Sequence, residues 1–128
     1  MALIRSISGI RGTIGGKPGK NLTPVDIVKF TAAFGTIISG NKKKVKVIVG
    51  RDGRISGAMV QQLVMNTLVG LGIDVVDLGL STTPTVEIAV KMAKADGGII
   101  ITASHNPKEW NALKLLNSEG EFISAETG

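Results

Sequence analysis

Apolar residues in this chain recur at two periods, one near two residues and one near three and a half, and the two patterns take turns along its length. Ile4, Ile7 and Ile10 alternate loosely before Arg11-Gly12-Thr13-Ile14-Gly15-Gly16, which reads as a strand entering a glycine-rich turn. Thr23-Pro24-Val25-Asp26 then offers an N-cap, a proline at the first helical position and an acid in the first turn. Ile27, Phe30, Phe34, Ile37 and Ile38 follow along one helical face. Val45-Lys46-Val47-Ile48-Val49 is short and β-branched, and predicts a strand that delivers the charged loop Gly50-Arg51-Asp52-Gly53-Arg54 to one edge of a sheet.

The alternation continues. Val60, Leu63, Val64, Leu68 and Leu71 sit at helical spacing, with Gly70 and Gly72 flanking the helix end before the strand Ile73-Asp74-Val75-Val76-Asp77-Leu78. Thr83-Pro84 predicts the cap of a third helix reaching to about Lys94. Gly97-Gly98-Ile99-Ile100-Ile101-Thr102 is apolar almost without interruption, as strands buried on both faces of a parallel sheet are. Leu113 to Leu116 and Glu121-Phe122-Ile123 predict a closing hairpin around Asn117-Ser118-Glu119-Gly120, an antiparallel element on an otherwise parallel sheet. The expectation is a three-layer α/β/α fold, with a mostly parallel mixed sheet and helices on both faces.

Composition narrows this to one domain. The 128 residues are 43% hydrophobic, enough to fill a single core. The aromatics are only Phe30, Phe34, Trp110 and Phe122, so packing is aliphatic sheet against aliphatic helix. With no cysteine in the sequence, disulfides, thiolate metal sites and a catalytic thiol are excluded. The first nine residues lack the apolar core of a signal peptide, and no segment approaches the length of a membrane span. A cytoplasmic location with no membrane partner is expected. The formal charge of +5 is concentrated at Lys42-Lys43-Lys44, between a helix pattern and a strand pattern. That run reads as a solvated loop, and no nucleic-acid motif accompanies it.

Ligands of open α/β sheets collect beyond the carboxyl ends of the strands. Three loops therefore bear candidate chemistry: the one at Arg11-Gly12, the one from Arg51 to Ser56, and Ala103-Ser104-His105-Asn106-Pro107. The last combines a hydroxyl, the only histidine of the chain and an Asn-Pro turn signal. Its polar groups either shape a turn through local hydrogen bonds or handle a ligand. A serine hydrolase needs a separate base and a nucleophile elbow, and neither surrounds Ser104. There is no Walker sequence or G-x-G-x-x-G turn, and one histidine without paired carboxylates does not complete a metal cage. Phosphate handling stays open, with Arg11, Arg51, Arg54, Lys108 and Lys114 available as cations.

Four segments, in order and spacing, resemble the α-D-phosphohexomutases: Ile7-Ser8-Gly9-Ile10-Arg11-Gly12, Gly50-Arg51-Asp52-Gly53-Arg54-Ile55-Ser56-Gly57, Thr83-Pro84-Thr85 and Thr102-Ala103-Ser104-His105-Asn106-Pro107. The resemblance spans essentially the whole chain, as the first domain of that family, which includes phosphoglucosamine mutase, phosphomannomutase and phosphoglucomutase. It implies that Ser104 is phosphorylated, donates its phosphoryl group to a hexose phosphate and recovers the other one from the bisphosphate intermediate. It further implies that Lys114 does acid/base work at the sugar hydroxyl, that Arg11 lies near the phosphoserine, that His105 positions or shuttles protons and that Asn106 fixes the loop. Arg51, Asp52 and Arg54 are expected to order their loop, with a phosphate contact from one of them as the alternative. Where the family often has Asn-Gly-x-Lys, this chain has Asn111-Ala112-Leu113-Lys114, so a position that needs φ > 0 in relatives would have to differ here.

The same resemblance implies Mg²⁺ bound through an oxygen of the Ser104 phosphate, with further ligands from an aspartate-rich loop of a second domain, and a hexose 1,6-bisphosphate as activator. The partners it implies are a hexose phosphate, glucosamine or mannose phosphate foremost, and the remaining domains of the same polypeptide. Residues 1–128 are thus expected to be an N-terminal fragment, inactive alone, with apolar surface left where later segments pack. Two other functions are weighed against this one: a dimerisation module and a phosphate-binding module without catalysis.

Overall fold

A computed structural model describes residues 3–6, 9–13, 23–52, 57–102, 110–121 and 123, with only the backbone described for 3–6, 9–13 and 110–112. The elements run β1 (Leu3–Ser6), β2 (Gly9–Thr13), α1 (Pro24–Ser39), β3 (Lys46–Arg51), α2 (Gly57–Gly70), β4 (Asp74–Leu80), α3 (Thr83–Met92), β5 (Gly97–Ile101) and β6 (Trp110–Leu116). The six strands form one sheet in the order β1-β2-β6-β5-β3-β4. Strand β3 pairs in parallel with β4 and β5, while β5 with β6, β6 with β2 and β2 with β1 are antiparallel.

The three-layer α/β/α class is the one the periodicities predict. The sheet is mixed, but its parallel pairing is confined to β5, β3 and β4, so the antiparallel share exceeds the single element expected. The opening stretch accounts for much of that difference. Its loose alternation reads as one strand, yet β1 and β2 form an antiparallel pair with Ser6 opposite Gly9. Strand β6 begins at Trp110 rather than Leu113 and lies between β2 and β5.

The two faces of the sheet bury separate clusters. Val47, Val49, Ile99, Ile101 and Leu113 meet Ile27 and Phe34 of α1 and Val60, Val64 and Leu68 of α2. Ile48, Ile100 and Leu116 meet Val86 and Val90 of α3. Adjacent residues of β3 and β5 therefore enter opposite cores, which explains the apolar run Val47-Ile48-Val49 within β3 and the wholly apolar β5. Close helix approach depends on glycine in β5, since a Cβ on Gly97 would collide with Ile38 and one on Gly98 would lie 2.8 Å from Val90.

Helix ends follow the local chemistry. Asp26 reaches back to the Thr23 N–H at 3.1 Å and accepts the Thr23 hydroxyl at 2.6 Å, closing the start of α1. Helix α2 ends in a Schellman motif: Ile73 N–H donates to the Leu68 carbonyl and Gly72 N–H to that of Val69, with Gly72 at φ +82°. Helix α3 is capped by Thr82, one residue before the expected Thr83, whose hydroxyl accepts from Thr85 N–H. It stops at Met92, and Lys94 lies beyond it at φ +54°. The turn after β6 is closed by Asn117 N–H to the Glu121 carbonyl and Ile123 N–H to that of Leu115, with Gly120 at φ +75°, but Glu121 and Ile123 stand outside any strand, and Phe122 of the expected return strand lies outside the described residues.

Candidate functional site

The carboxyl ends of β3, β4 and β5 lie on one edge of the sheet. Because β6 runs antiparallel to β5, with Ile101 opposite Leu113, it starts at that edge. Strand β2 ends there too, with Thr13 opposite Trp110. Thr13, Asp52, Thr102 and Trp110 thus lie toward a common edge, which is the place where α/β sheets bind ligands.

The strand ends are tied to one another at that edge. Asp52 N–H donates to the Ile101 carbonyl at 3.0 Å, and Ser81 N–H donates to the Arg51 carbonyl at 2.9 Å. The Thr102 hydroxyl donates to Asp52 Oδ2 at 2.7 Å. Thr102 is buried and immediately precedes Ala103-Ser104. A charge-assisted hydrogen bond of this kind contributes about 1.5–3 kcal/mol, so the departure point of the 103–109 segment is firmly held.

Arg51 is held from the other side. Its Nε donates to Gln61 Oε1 at 2.7 Å and its Nη1 to the Asp52 carbonyl at 3.3 Å. Gln61 Nε2 in turn donates to Asp77 Oδ1, which also accepts the Gly79 N–H at 2.7 Å. The β3/β4 register shifts between Val49 and Gly50, where Gly79, at φ +63°, replaces Leu78 as the next partner. Asp77 therefore pins an edge-strand irregularity. A Cβ on Gly57 would lie 3.2 Å from the Asp52 carbonyl and 3.4 Å from the Arg51 side chain, so α2 begins hard against this loop.

Of the residues expected to act, Arg11, Arg51, Asp52 and Lys114 fall within the described chain, while Ser104, His105, Asn106 and Arg54 lie outside the described residues. Arg11 lies opposite Ala112, and Lys114 lies opposite Gly9 on β2 and Ile100 on β5. Lys114 is half-buried and sits between Leu113 and Leu115, which enter the α1/α2 core, so alternation directs it to the α3 face. Ala112 belongs to an antiparallel ladder, and among the described residues Lys94 is the only non-glycine with positive φ. Ala112 therefore stands in extended backbone, with no demand for φ > 0.

Sequence reasoning missed Gln61, Asp77 and the clasp role of Thr102. Gln61 had a visible signal: a polar residue on the apolar stripe of α2, three before Val64 and seven before Leu68, and it is 5% exposed. Among the described residues no group of three or more His, Cys, Asp or Glu side chains is disposed to hold a metal ion.

Residues 3–128 match the α/β/α domain I of the phosphoglucomutase/phosphomannomutase family. The chain is 40% identical over 118 residues to a phosphoglucomutase/phosphomannomutase of Thermococcus kodakarensis, covering 90% of this chain and 26% of that protein. It is 37% identical over 126 residues to a phosphoglucosamine/phosphogalactosamine mutase of Sulfurisphaera tokodaii, covering 98% of this chain and 26% of the relative. A crystal structure from Thermus thermophilus, provisionally named a phosphomannomutase, superposes with a TM-score of 0.84 at 28% identity, over 99% of this chain and 28% of its own. A family member from Burkholderia thailandensis gives 0.74 at 28% identity, over 91% of this chain and 26% of its own. The chain spans about a quarter of the length of these relatives. With the match running through all four motifs and both faces of the sheet, the chain belongs to the phosphoglucomutase/phosphomannomutase family, as its α/β/α domain I.

Proposed function

We propose that the chain is the nucleophile-bearing domain of a cytoplasmic phosphohexomutase that interconverts a hexose 1-phosphate and a hexose 6-phosphate, with Ser104 carrying the phosphoryl group. The observation that supports this reading most is the Asp52–Thr102 clasp. It anchors the end of β5 one residue before Ala103-Ser104, at the edge of the sheet where a nucleophile meets a ligand. Names of relatives fit it: the curated relatives include phosphoglucosamine mutases and a phosphoglucomutase/phosphomannomutase. Glucosamine phosphate and mannose phosphate are the proposed substrates.

In this scheme a hydroxyl of the sugar phosphate attacks the phosphorus of phosphorylated Ser104. The new O–P bond forms in line as the bond to Ser104 Oγ breaks, leaving the serine oxygen. The proton of the attacking hydroxyl passes to a base, the role assigned to Lys114. After the bisphosphate turns round, its other phosphoryl returns to Ser104, and the lysine gives the proton back to the departing sugar oxygen. Positioning and charge neutralisation supply most of the acceleration. Arg11 is assigned the countercharge for a group that carries close to two negative charges at neutral pH, His105 a proton-handling part and Asn106 the shape of the loop.

Mg²⁺ would supply further neutralisation, held on this domain through the Ser104 phosphate and otherwise by residues of a second domain of the longer polypeptide. The experiment is an assay of the longer polypeptide that contains this domain, with Mg²⁺ and a hexose bisphosphate, on glucosamine, mannose and glucose phosphates. Ser104→Ala is expected to lower turnover at least about a thousandfold, as loss of a covalent nucleophile does, and the domain alone to be inert. Full turnover by Ser104→Ala would refute the proposal.

A further inference from the structure

Five polar residues are hydrogen-bonded in series across the carboxyl edge of β3, β4 and β5, with the Asp52 main chain as one link. Asp77 on β4 accepts from Gln61, Gln61 accepts from Arg51, Arg51 donates to the Asp52 carbonyl, and the Asp52 carboxylate accepts from Thr102. Gln61 is the member whose chemistry is hardest to replace. Its amide presents an acceptor to a cation and a donor to an anion, and a glutamine places both groups on one rigid plane. Buried at 5% exposure on α2, it has no recourse to solvent.

From this we infer that Gln61 is a positioning residue for phosphoryl transfer. It fixes the Arg51 guanidinium and through it the Asp52–Thr102 clasp that launches the Ser104 segment, while touching neither substrate nor phosphoryl group itself. The inference rests on the proposed mutase function for its catalytic part. Its structural part, that Gln61 holds the clasp, stands independently. Local geometry around a transferring group is steeply coupled to rate, and a displacement of about 1 Å costs on the order of a hundredfold. A residue that sets this geometry affects turnover more than it affects substrate affinity.

The test compares Gln61→Met, Asp77→Asn and Asp77→Leu in the longer polypeptide, beside wild type and Ser104→Ala. Gln61→Met keeps the length and removes both polar ends. Asparagine at 77 still accepts from Gln61 and from Gly79 N–H, so Asp77→Asn should stay within about threefold of wild type, whereas Asp77→Leu should not. For Gln61→Met, kcat is expected to fall tenfold to about a hundredfold with KM within about twofold. Hydrogen exchange at the Asp52 amide, bonded to Ile101, should accelerate at least about tenfold while exchange in α1 is unchanged. Unchanged exchange at Asp52 would overturn the inference, and so would faster exchange with wild-type kcat. If Ser104→Ala keeps its activity, the mutase reading and the catalytic part fall together, and the exchange result still decides whether Gln61 holds the clasp.

Discussion

Single residues show where local conformation and sequence part company. Lys94 sits one position beyond the Ala93 C-cap of α3 at φ +54°. Its N–H donates to the Lys91 carbonyl, and the N–H of Ala95 donates to that of Val90. This is the same Schellman geometry that Gly72 serves after α2, built here on a residue with a Cβ, for which the left-handed region costs about 1–2 kcal/mol. Lys94→Gly is expected to raise the unfolding free energy by about 0.5–1 kcal/mol, once the greater freedom of glycine in the unfolded chain is offset. Urea denaturation of the domain checks this, and a destabilised variant would show that Lys94 contributes more through its side chain than it loses in strain. At the same scale, Thr102, Asp52 and Arg51 were legible as motif letters, but their bonds were not. Nothing in the order of residues says that a hydroxyl at 102 meets a carboxylate fifty positions earlier. Gln61 carried a faint mark, a polar residue on an apolar stripe, and Asp77 carried none, because acids on edge strands are ordinary.

Elements were legible to the extent that their signals were local. Thr23-Pro24 and Asp26 announce α1, the short β-branched run at 45–49 announces β3, and the apolar run of β5 announces a strand buried on both faces; each is formed as expected. The β1/β2 pair was read as one strand because Ile4, Ile7 and Ile10 continue a single loose alternation across the Ser8-Gly9 turn signal. Away from the site, the amino ends of β3 and β5 are joined by Asp96. It accepts from Lys42 Nζ at 2.6 Å and from Lys46 N–H at 2.8 Å, while Lys46 Nζ reaches the Ala93 carbonyl at 3.3 Å. Burial works against ionisation of Asp96, but the hydrogen bonds from Lys42 and the Lys46 backbone, with the charges of both lysines, outweigh it and lower its pKa. A carboxyl depressed in the folded state contributes stability above its ordinary pKa of about 3.9 and loses it as pH falls through the lower folded value. Thermal midpoints measured from neutral pH into that acid range should fall less steeply for Asp96→Asn than for wild type. Parallel curves would mean that Asp96 does not take part in acid unfolding. The run Lys42-Lys43-Lys44 is exposed, as a solvated loop requires, with Lys42 in this ion pair.

For the molecule as a whole, one edge of the sheet holds the carboxyl ends of three parallel strands together with the end of β2 and the start of β6. Fold class and family were legible because they depend on the order of elements and on contiguous motifs. The mixed pairing was less so, because β2 and β6 are joined by contacts between opposite ends of the chain. Ile88 and Met92, one turn apart on α3, are 58% and 79% exposed, apolar surface of the kind expected if further segments of a longer polypeptide pack on this domain. The central claim is that Ser104, on the segment leaving the Asp52–Thr102 clasp, carries the phosphoryl group. It is tested most directly by incubating the longer polypeptide with a hexose 1,6-bisphosphate and locating the transferred phosphoryl by peptide mass spectrometry. The account predicts phosphate on Ser104 that is lost to added hexose phosphate during turnover; an active enzyme with its phosphoryl on another residue, or with none, would contradict it.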